Sequence, residues 1–455
     1  MKKLSLCAAL MLAACGGGSG LGDDGDDTPM PDAYVPPIDT PPGVTIVNVP
    51  AGDIAVDTNW TADHIYVLEG YVFVTAGTLT IQPGTTIQGK NGSALTITKE
   101  AKLNAVGSVD KPIVFTSAMA TPASGDWGGL VMLGKAPINV TGGTNNVEGF
   151  PTSYGARIAY GGTDAAHDCG KLKYARIEYA GFALAVDNEL NGLTLGGCGT
   201  SSLVDYVQVH LGLDDGVELF GGTVNISHII VTQPDDDALD WDRGWNGKAQ
   251  FVIVQQKLGR GDKGIEADNN NNDNELLPRS APEIWNMTMI GADGAATDPQ
   301  GGLHLRRGTA GKINNSIIAY FTKFAVDVDG TSSVNQVNAN ALAIKNTYFV
   351  KGTNAAAVWP TNFDVGTSGN QNDCPTATTC LDEATLFGGD ATNRMNTEPM
   401  LTDPKNVTAP NWKPAAASPV LTGCATPPAG FDTSATFCGA VGTSDWTVGW
   451  TRFPS

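Results

Sequence analysis

The chain has 455 residues, 56 of them glycine, and its 47 acidic residues outnumber the 27 basic residues to give a formal charge of −20. This charge disfavours nucleic acid and anionic lipid surfaces as partners, because both repel an acidic protein. Short runs of Val, Ile and Thr interrupted by Gly, Asn and Asp predict strands and turns, so we expect an almost all-β protein.

The N-terminus has the pattern of an export signal. Lys2 and Lys3 precede an apolar stretch, residues 4–11, that is too short to span a bilayer, and the sequence LAAC ends at Cys15. It resembles the lipobox of bacterial lipoproteins, which implies a signal peptide over residues 1–14 and a lipid on Cys15. An ordinary cleaved signal peptide is the alternative. In the lipobox pattern, Gly16 in place of Asp implies an outer-membrane lipoprotein that faces the periplasm or the cell surface.

Residues 15–43 form the next segment, which has six acidic residues, no basic residue and repeated Pro and Gly. Such a composition cannot bury a core, so we expect a flexible tether between the lipid and a folded body. Binding of calcium or of a partner by its Asp pairs is the alternative interpretation.

Two types of apolar segment alternate along the body of the chain. The first type comprises GLVM at Gly129, GLTL at Gly192, GVEL at Gly216, ALDW at Ala238, GIEA at Gly264, GLHL at Gly302 and AVDV at Ala325. The second type includes YARIEY at Tyr174, YVQVHL at Tyr206, HIIVTQ at His228 and FVIVQQ at Phe251. Glu218 and Asp240 are 22 residues apart and Asp240 and Glu266 are 26 apart, which is the spacing of one solenoid coil.

This repeat predicts a right-handed parallel β-helix with extruded loops over residues 44–370, followed by an irregular C-terminal cap over residues 371–455. A β-sandwich or a propeller is the alternative, which the uneven spacing disfavours. Six cysteines of the exported chain predict three disulfides between sequence neighbours, and zinc is disfavoured because no CxxC motif occurs. The expected pairs are Cys169 with Cys198, Cys374 with Cys380, and Cys424 with Cys438.

Several segments carry a resemblance to a known family. GDWGGLVMLGKAPIN, NELNGLTLGG, FGGTVN and GAVGTSDWTVGWTRF are similar to segments of right-handed β-helix lipoproteins and secreted proteins of Gram-negative bacteria, over about Trp60 to Phe453. More distantly, the chain resembles pectate lyases and polygalacturonases, whose calcium and paired-aspartate signatures do not match here residue by residue. The resemblance implies the fold and a location in the cell envelope, and it implies no reaction.

Stacking of the coils places acidic residues above one another. One predicted outward column contains Glu218, Asp240, Glu266, His304 and Asp327, and a second contains Phe220, Asp242, Asp268, Arg306 and Asp329. Asp215 and Asp237 lie in the turns that precede the first column. Carboxylates about 4.8 Å apart repel by roughly 3.5 kcal/mol at an effective dielectric constant near 20, so the repulsion must be offset.

Three effects could offset this repulsion between carboxylates: solvation of an exposed acidic face, a bound cation, or proton sharing within a catalytic site. For calcium, Asp240, Asp242, Glu266 and Asp268 are the candidate ligands, with further oxygens from the asparagines that follow Asp268. For catalysis, the candidates are Glu218, Asp240, Glu266 and His304, because carboxylates on neighbouring coils have the separation that glycoside hydrolysis requires.

The sequence therefore supports two functions. The first is an envelope lipoprotein whose acidic face binds glycan or another envelope ligand, with or without calcium, through Asp215, Glu218, Asp237, Asp240, Asp242, Glu266 and Asp268. The second is a polysaccharide-active enzyme, a glycoside hydrolase or a lyase, at the same face. Trp245 is the candidate sugar-stacking residue, with packing under a neighbouring loop as the alternative, whereas Trp241 is expected in the core. For His304, the alternative to a catalytic base is a solvated side chain or one paired with Asp327. We expect a monomer that is attached to the membrane by its lipid and binds no nucleic acid.

Overall fold

The computed structural model describes residues 43–185, 188–294, 300–353 and 381–454. Nearly all regular structure in these ranges is β-strand, and parallel pairing joins the strands into one sheet of 17 strands (sheet A) and one of ten strands (sheet B). The right-handed parallel β-helix predicted from the repeats is confirmed.

The strands of the first coils begin soon after the predicted tether. They are β1 (Thr45–Val49), β2 (Gly52–Ile54), β3 (Thr58–Trp60), β4 (His64–Leu68), β5 (Tyr71–Val74), β6 (Gly77–Ile81), β7 (Thr86–Gly89), β8 (Ala94–Ile97), β9 (Ala101–Val106) and β10 (Ile113–Ser117). The middle of the chain adds β11 (Leu130–Leu133), β12 (Asn145–Asn146), a 3₁₀ segment (Thr152–Ile158), β13 (Ala159–Tyr160), β14 (Gly170–Glu178), β15 (Ala183–Ala185), β16 (Asn188–Glu189), β17 (Leu193–Gly196), β18 (Leu203–His210), β19 (Val217–Phe220), β20 (Ile226–Thr232), β21 (Leu239–Asp242), β22 (Lys248–Gln255), β23 (Lys263–Ala267) and β24 (Glu283–Ile290).

The last coils and the C-terminal segment contain the remaining elements. These are β25 (Gly301–Leu305), β26 (Gly311–Asn314), β27 (Ile317–Ala319), β28 (Phe324–Val328), α1 (Thr331–Asn338), β29 (Leu342–Lys345), β30 (Tyr348–Val350), α2 (Glu383–Gly389), β31 (Arg394–Met395), β32 (Leu401–Asp403), β33 (Asn411–Pro414) and a 3₁₀ turn (Pro419–Leu421). Sheet B consists of β2, β5, β8, β11, β17, β19, β21, β23, β25 and β28.

Each long strand of sheet A bends in its middle, so that the sheet forms two faces of the solenoid. The bend residues of β14, β18, β20 and β22, Tyr174, Tyr206, His228 and Phe251, all have φ between 47° and 60°. Non-glycine residues rarely adopt this conformation, and here the rings stack from coil to coil with centroids 4.0 to 4.7 Å apart. In later coils the bend is taken by asparagine, which tolerates positive φ better.

Inward side chains of both sheets form one continuous apolar core along the stack. Trp241 is 1% exposed within it, so its predicted core position is confirmed. Phe387 of α2 also joins this core.

The segment after β31, residues 397–454, packs along the outer face of sheet A. Trp412, Val420 and Trp450 of this segment form a second apolar cluster with outward residues of sheet A such as Ile230 and Ile253. Amide side chains of the coils also bond to its backbone in reciprocal pairs, which join Gln208 to Arg452, Gln250 to Asp432, and Asn315 to Ala425.

Two of the three predicted disulfides, Cys169–Cys198 and Cys424–Cys438, are confirmed. The predicted pair Cys374–Cys380, the predicted lipid site Cys15 and the tether lie outside the described residues. Within the described ranges, no helix is long and apolar enough to cross a membrane.

Candidate functional site

The predicted columns of acidic residues lie on the outer side of sheet B. Strand pairing aligns Glu218 with Asp240, Asp240 with Glu266, Glu266 with His304, and His304 with Asp327. The first column is therefore confirmed residue by residue. We call Glu218, Asp240 and Glu266, together with the turn residues Asp215 and Asp237, the acidic ladder.

Four residues of the acidic ladder are buried and Asp240 is partly exposed, whereas a solvated face would expose all five. Glu218 is 6% exposed, Asp237 3% and Glu266 9%. Residues 134–160 extend from the stack after β11 and cover sheet B, where Phe150 and Tyr160 pack with Phe220 in an apolar cluster. The solvated-face interpretation is therefore wrong for this part of the protein.

Two loops are joined beside the ladder by hydrogen bonds between three buried asparagine side chains. Asn139 Nδ2 donates to the Oδ1 atom of Asn269 at 2.7 Å, and Asn270 Nδ2 donates to the Oδ1 atom of Asn139 at 3.1 Å. Asn269 also donates to the backbone carbonyls of Asn274 and Leu276. The asparagines that were expected to supply oxygens for a metal thus hold the loops together instead.

The turn aspartates of the ladder bond to the coil that follows. Asp215 Oδ1 accepts the backbone N–H of Asp237 at 3.0 Å, and Asp237 Oδ1 accepts the backbone N–H of Lys263 at 2.8 Å. These bonds fix the turns and place Asp215, Asp237 and Lys263 at equivalent positions of successive coils. Only one oxygen of each aspartate is used in this way.

Three carboxylates meet at the first half of the ladder without a basic partner. Asp215, Glu218 and Asp240, which we call the first cluster, each offer an oxygen within 4.8 Å of the others. In the described part of the chain, no lysine, arginine or histidine forms an ion pair with them, and Asp240 Oδ1 is inaccessible and has no hydrogen-bond partner. Burial and the neighbouring carboxylates raise the pKa of all three groups well above the usual range, with exposed Glu148 contributing at Glu218.

Asn191 completes the surroundings of the first cluster. This residue is 1% exposed, its Nδ2 donates to Glu218 Oε2, and its Oδ1 has no partner among the described residues. Sequence reasoning missed it, although it precedes β17 and thus occupies the same turn position as Asp215.

The second half of the ladder is compensated by basic side chains. Asp237, Asp240 and Glu266, the second cluster, also bring oxygens within 4.8 Å of one another. Lys263 Nζ lies 3.0 Å from Glu266 Oε2, and Arg306 Nη2 donates to Glu266 Oε1. Burial raises the pKa of Glu266, but His304, Lys263 and Arg306 together hold it well below its usual value.

The two ends of the ladder therefore favour opposite protonation states. Near the first cluster the carboxyl groups keep a proton or require a cation, whereas Glu266 stays ionised at neutral pH. Such divergence between neighbouring carboxyl groups is typical of acid–base sites and of cation sites.

The second column does not belong to a metal cluster. Asp268 is held by Arg306 Nε at 2.8 Å and by Arg307 Nη1 at 2.5 Å, and Asp242 is paired with Arg243 at 3.2 Å. The predicted metal set of Asp240, Asp242, Glu266 and Asp268 is therefore corrected, because the clusters replace Asp242 and Asp268 with the turn aspartates and Glu218. Burial nevertheless raises the pKa of Asp242 to about 6.

Two further predictions about single residues need correction. Trp245 was expected to stack on a sugar, but it is fully buried and its Nε1 donates to the Val224 carbonyl at 3.0 Å. The alternative for His304 was a solvated side chain or one paired with Asp327, whereas its Nε2 lies 3.2 Å from Asp329 and its Nδ1 lies 3.6 Å from Glu266. Burial lowers the pKa of His304, but these carboxylates raise it overall.

Comparison with known proteins agrees with this architecture. Residues 52–396 match the profile of the family described as "Pectate-lyase like beta helix domain". Searches of curated proteins and of solved structures give no match. The matched span covers all of the stacked coils except β1, and it includes the whole acidic ladder. The chain belongs to the pectate-lyase-like β-helix domain family.

Proposed function

We propose that this protein is a cell-envelope β-helix that binds polysaccharide through a divalent cation held on the acidic ladder. The first cluster carries the proposal, because three adjacent carboxylates without a basic partner, two of them buried, are stable only when a proton or a cation offsets their charge. Membership of the pectate-lyase-like family supports a polysaccharide-related role.

The donor set fits a hard cation such as calcium. Asp215, Glu218 and Asp240 supply carboxylate oxygens, and Asn191 has a buried amide oxygen without a partner. Calcium takes six to eight oxygen ligands, so oxygens of a sugar would complete its shell. The bound ion would supply the positive charge that links the ladder to the sugar.

Glu218→Gln is expected to lower polysaccharide affinity at least tenfold, because it removes one charged ligand of the first cluster. Affinity electrophoresis in gels that contain neutral or uronate-containing polysaccharides, run with calcium or with EDTA, measures this effect. Glu100→Gln is the matched control, because Glu100 is an exposed residue that pairs with Lys135 at the surface. Retention that is unaffected by EDTA and by Glu218→Gln would rule out the proposed site.

A second candidate function is cleavage of the polysaccharide. The observation that favours it is the divergence between Asp240, whose pKa is raised, and Glu266, whose pKa is lowered. Oxygens of these residues approach within 4.8 Å, close to the separation of about 5 Å found in retaining glycosidases. Asp240 would protonate the leaving-group oxygen while ionised Glu266 forms a bond to the anomeric carbon, and water activated by Asp240 would then hydrolyse this glycosyl–enzyme bond.

Glu266→Gln separates the two functions, because Glu266 lies outside the first cluster. An enzyme is expected to lose at least a hundredfold in release of reducing ends while calcium-dependent binding of the polysaccharide persists. A reducing-end assay and the electrophoresis above measure the two properties on the same sample. If the wild-type protein releases no reducing ends from any bound polysaccharide, hydrolysis is excluded for those polysaccharides.

We also propose that Cys15 carries a lipid that anchors the protein in the outer membrane. The sequence LAAC after a short apolar stretch supports this, and two or more acyl chains give stable membrane attachment. Cys15→Ser is expected to shift most of the protein from the membrane fraction to the periplasm or the medium. Cell fractionation with immunoblotting checks it, with Cys7→Ser as the control. A mutant that still sediments with membranes would contradict the lipid anchor.

A further inference from the structure

The second cluster already contains a cation that belongs to the chain. Lys263 is 9% exposed, and its ammonium nitrogen lies 2.6 Å from Asp262, 3.0 Å from Glu266 and 3.8 Å from Asp237. Burial lowers the pKa of Lys263, but these carboxylates raise it well above the ordinary value, so the group stays charged. One ammonium group thus neutralises much of a pocket that would otherwise hold several adjacent carboxylates.

The first cluster is the same arrangement one coil earlier, with the charge reversed at a single position. Asp237 stands beside the first cluster at the place where Lys263 stands beside the second, as the ladder of turn hydrogen bonds shows. The first cluster therefore has an additional carboxylate where the second has an ammonium group. Its unpartnered Asp240 Oδ1 and the unpartnered amide oxygen of Asn191 are the atoms that a cation would satisfy.

We infer that the ammonium group of Lys263 is a built-in cation of the second cluster, which restricts the acidic ladder to one exchangeable divalent ion in the first cluster. The inference rests on the proposed function for the presence of that one ion. Two ions in adjacent clusters would share Asp240, and Lys263 prevents this by occupying the second position. Lysine performs the role well because its compact charge is carried on a long flexible stem.

The test is the number of calcium ions bound by the acidic ladder, counted as the ions that are lost in the double variant Glu218→Gln with Asp240→Asn, because Asp214, Asp236 and Asp262 form further carboxylate groups with the turn aspartates. Equilibrium dialysis against radioactive calcium, with terbium luminescence as a second readout, should give one ion for the wild-type protein and two for Lys263→Met. Lys263→Arg keeps the charge and is expected to bind one ion. Lys171→Met, a substitution of an exposed lysine on β14, is the matched control and should also bind one. The double variant Lys263→Met with Glu266→Gln should return to one ion, because it loses a ligand of the second cluster.

Other results separate the inference from the proposed function. One ion in both the wild-type protein and Lys263→Met would overturn the role of Lys263 and leave the first cluster as a cation site. No ion in the wild-type protein and one in Lys263→Met would support the role of Lys263 and overturn the cation of the first cluster. No ion in either protein would overturn both. If Lys263→Met does not fold, Lys263→Gln is measured in the same way, since its amide keeps a polar group among the carboxylates.

Discussion

Replacement of Arg306 by Ala is expected to lower the free energy of unfolding by about 3 kcal/mol, because it removes the charged hydrogen bonds that Arg306 donates to two carboxylates of low exposure. The side chain of Arg306 is 17% exposed, and it contacts the side chains of Glu266 and Asp268, which are 12% and 5% exposed. Arg307 still reaches Asp268 and Lys263 still reaches Glu266, so both carboxylates keep one basic partner in this variant. Urea unfolding followed by tryptophan fluorescence measures the difference.

Two controls interpret this result. Arg306→Lys keeps the charge but cannot form the forked contact, so an intermediate loss is expected. Lys90→Ala removes an exposed pair with Glu69 and is expected to cost less than about 1 kcal/mol. Equal effects of Arg306→Ala and Lys90→Ala would mean that the charges of the second cluster are screened by water.

Calcium is expected to raise the melting temperature strongly at pH 8 and weakly at pH 5. The pKa values of Asp215, Glu218, Asp237 and Asp240 are raised in the folded state, so between about pH 4 and those values the folded protein holds protons that the unfolded chain has released. Stability of the metal-free protein therefore falls as the pH rises through this window. Calcium at a hundredfold its dissociation constant would restore about 2.7 kcal/mol.

His304 and Glu266 contribute to the pH dependence of stability in other pH ranges. His304, whose pKa is raised, adds stability that is complete below about pH 6.5 and is lost as the pH rises further. Glu266, whose pKa is lowered, adds stability above about pH 4.3 that is lost only in stronger acid.

The double variant Glu218→Gln with Asp240→Asn should flatten the pH profile and abolish the calcium response in thermal melts. Melting temperatures that are the same with calcium and with EDTA at both pH values would contradict the cation site.

The fold and the alignment of the ladder could be predicted because they depend on periodicity. An inward apolar residue on either side of Asp240 fixes which way its side chain points, and a spacing of 22 to 26 residues fixes which residues it meets in the next coil. The registers of Glu218, Asp240 and Glu266 follow directly from these two facts.

Burial and pairing at the site could not be predicted, because they depend on segments outside the repeat. Residues 134–160 cover sheet B, and nothing in the coil period indicates where an extruded loop folds back. Trp245 was misjudged for the same reason, since its position follows β21 in an irregular turn. Lys263 could have been found, because it occupies the turn position of Asp215 and Asp237 one coil later.

The packing of residues 397–454 on sheet A affects the order in which the protein folds. Neighbouring coils join residues that are close in sequence, whereas Gln208 and Arg452 are separated by 244 residues. Contacts between residues far apart in sequence form slowly, because closing a long loop costs conformational entropy. The coils can therefore stack one after another before residues 397–454 pack on the outer face of sheet A. Until residues 397–454 pack there, Ile230 and Ile253 form part of an apolar surface that is exposed to solvent. Folding of the chain thus includes a stage that is prone to aggregation, which ends when residues 397–454 pack on sheet A.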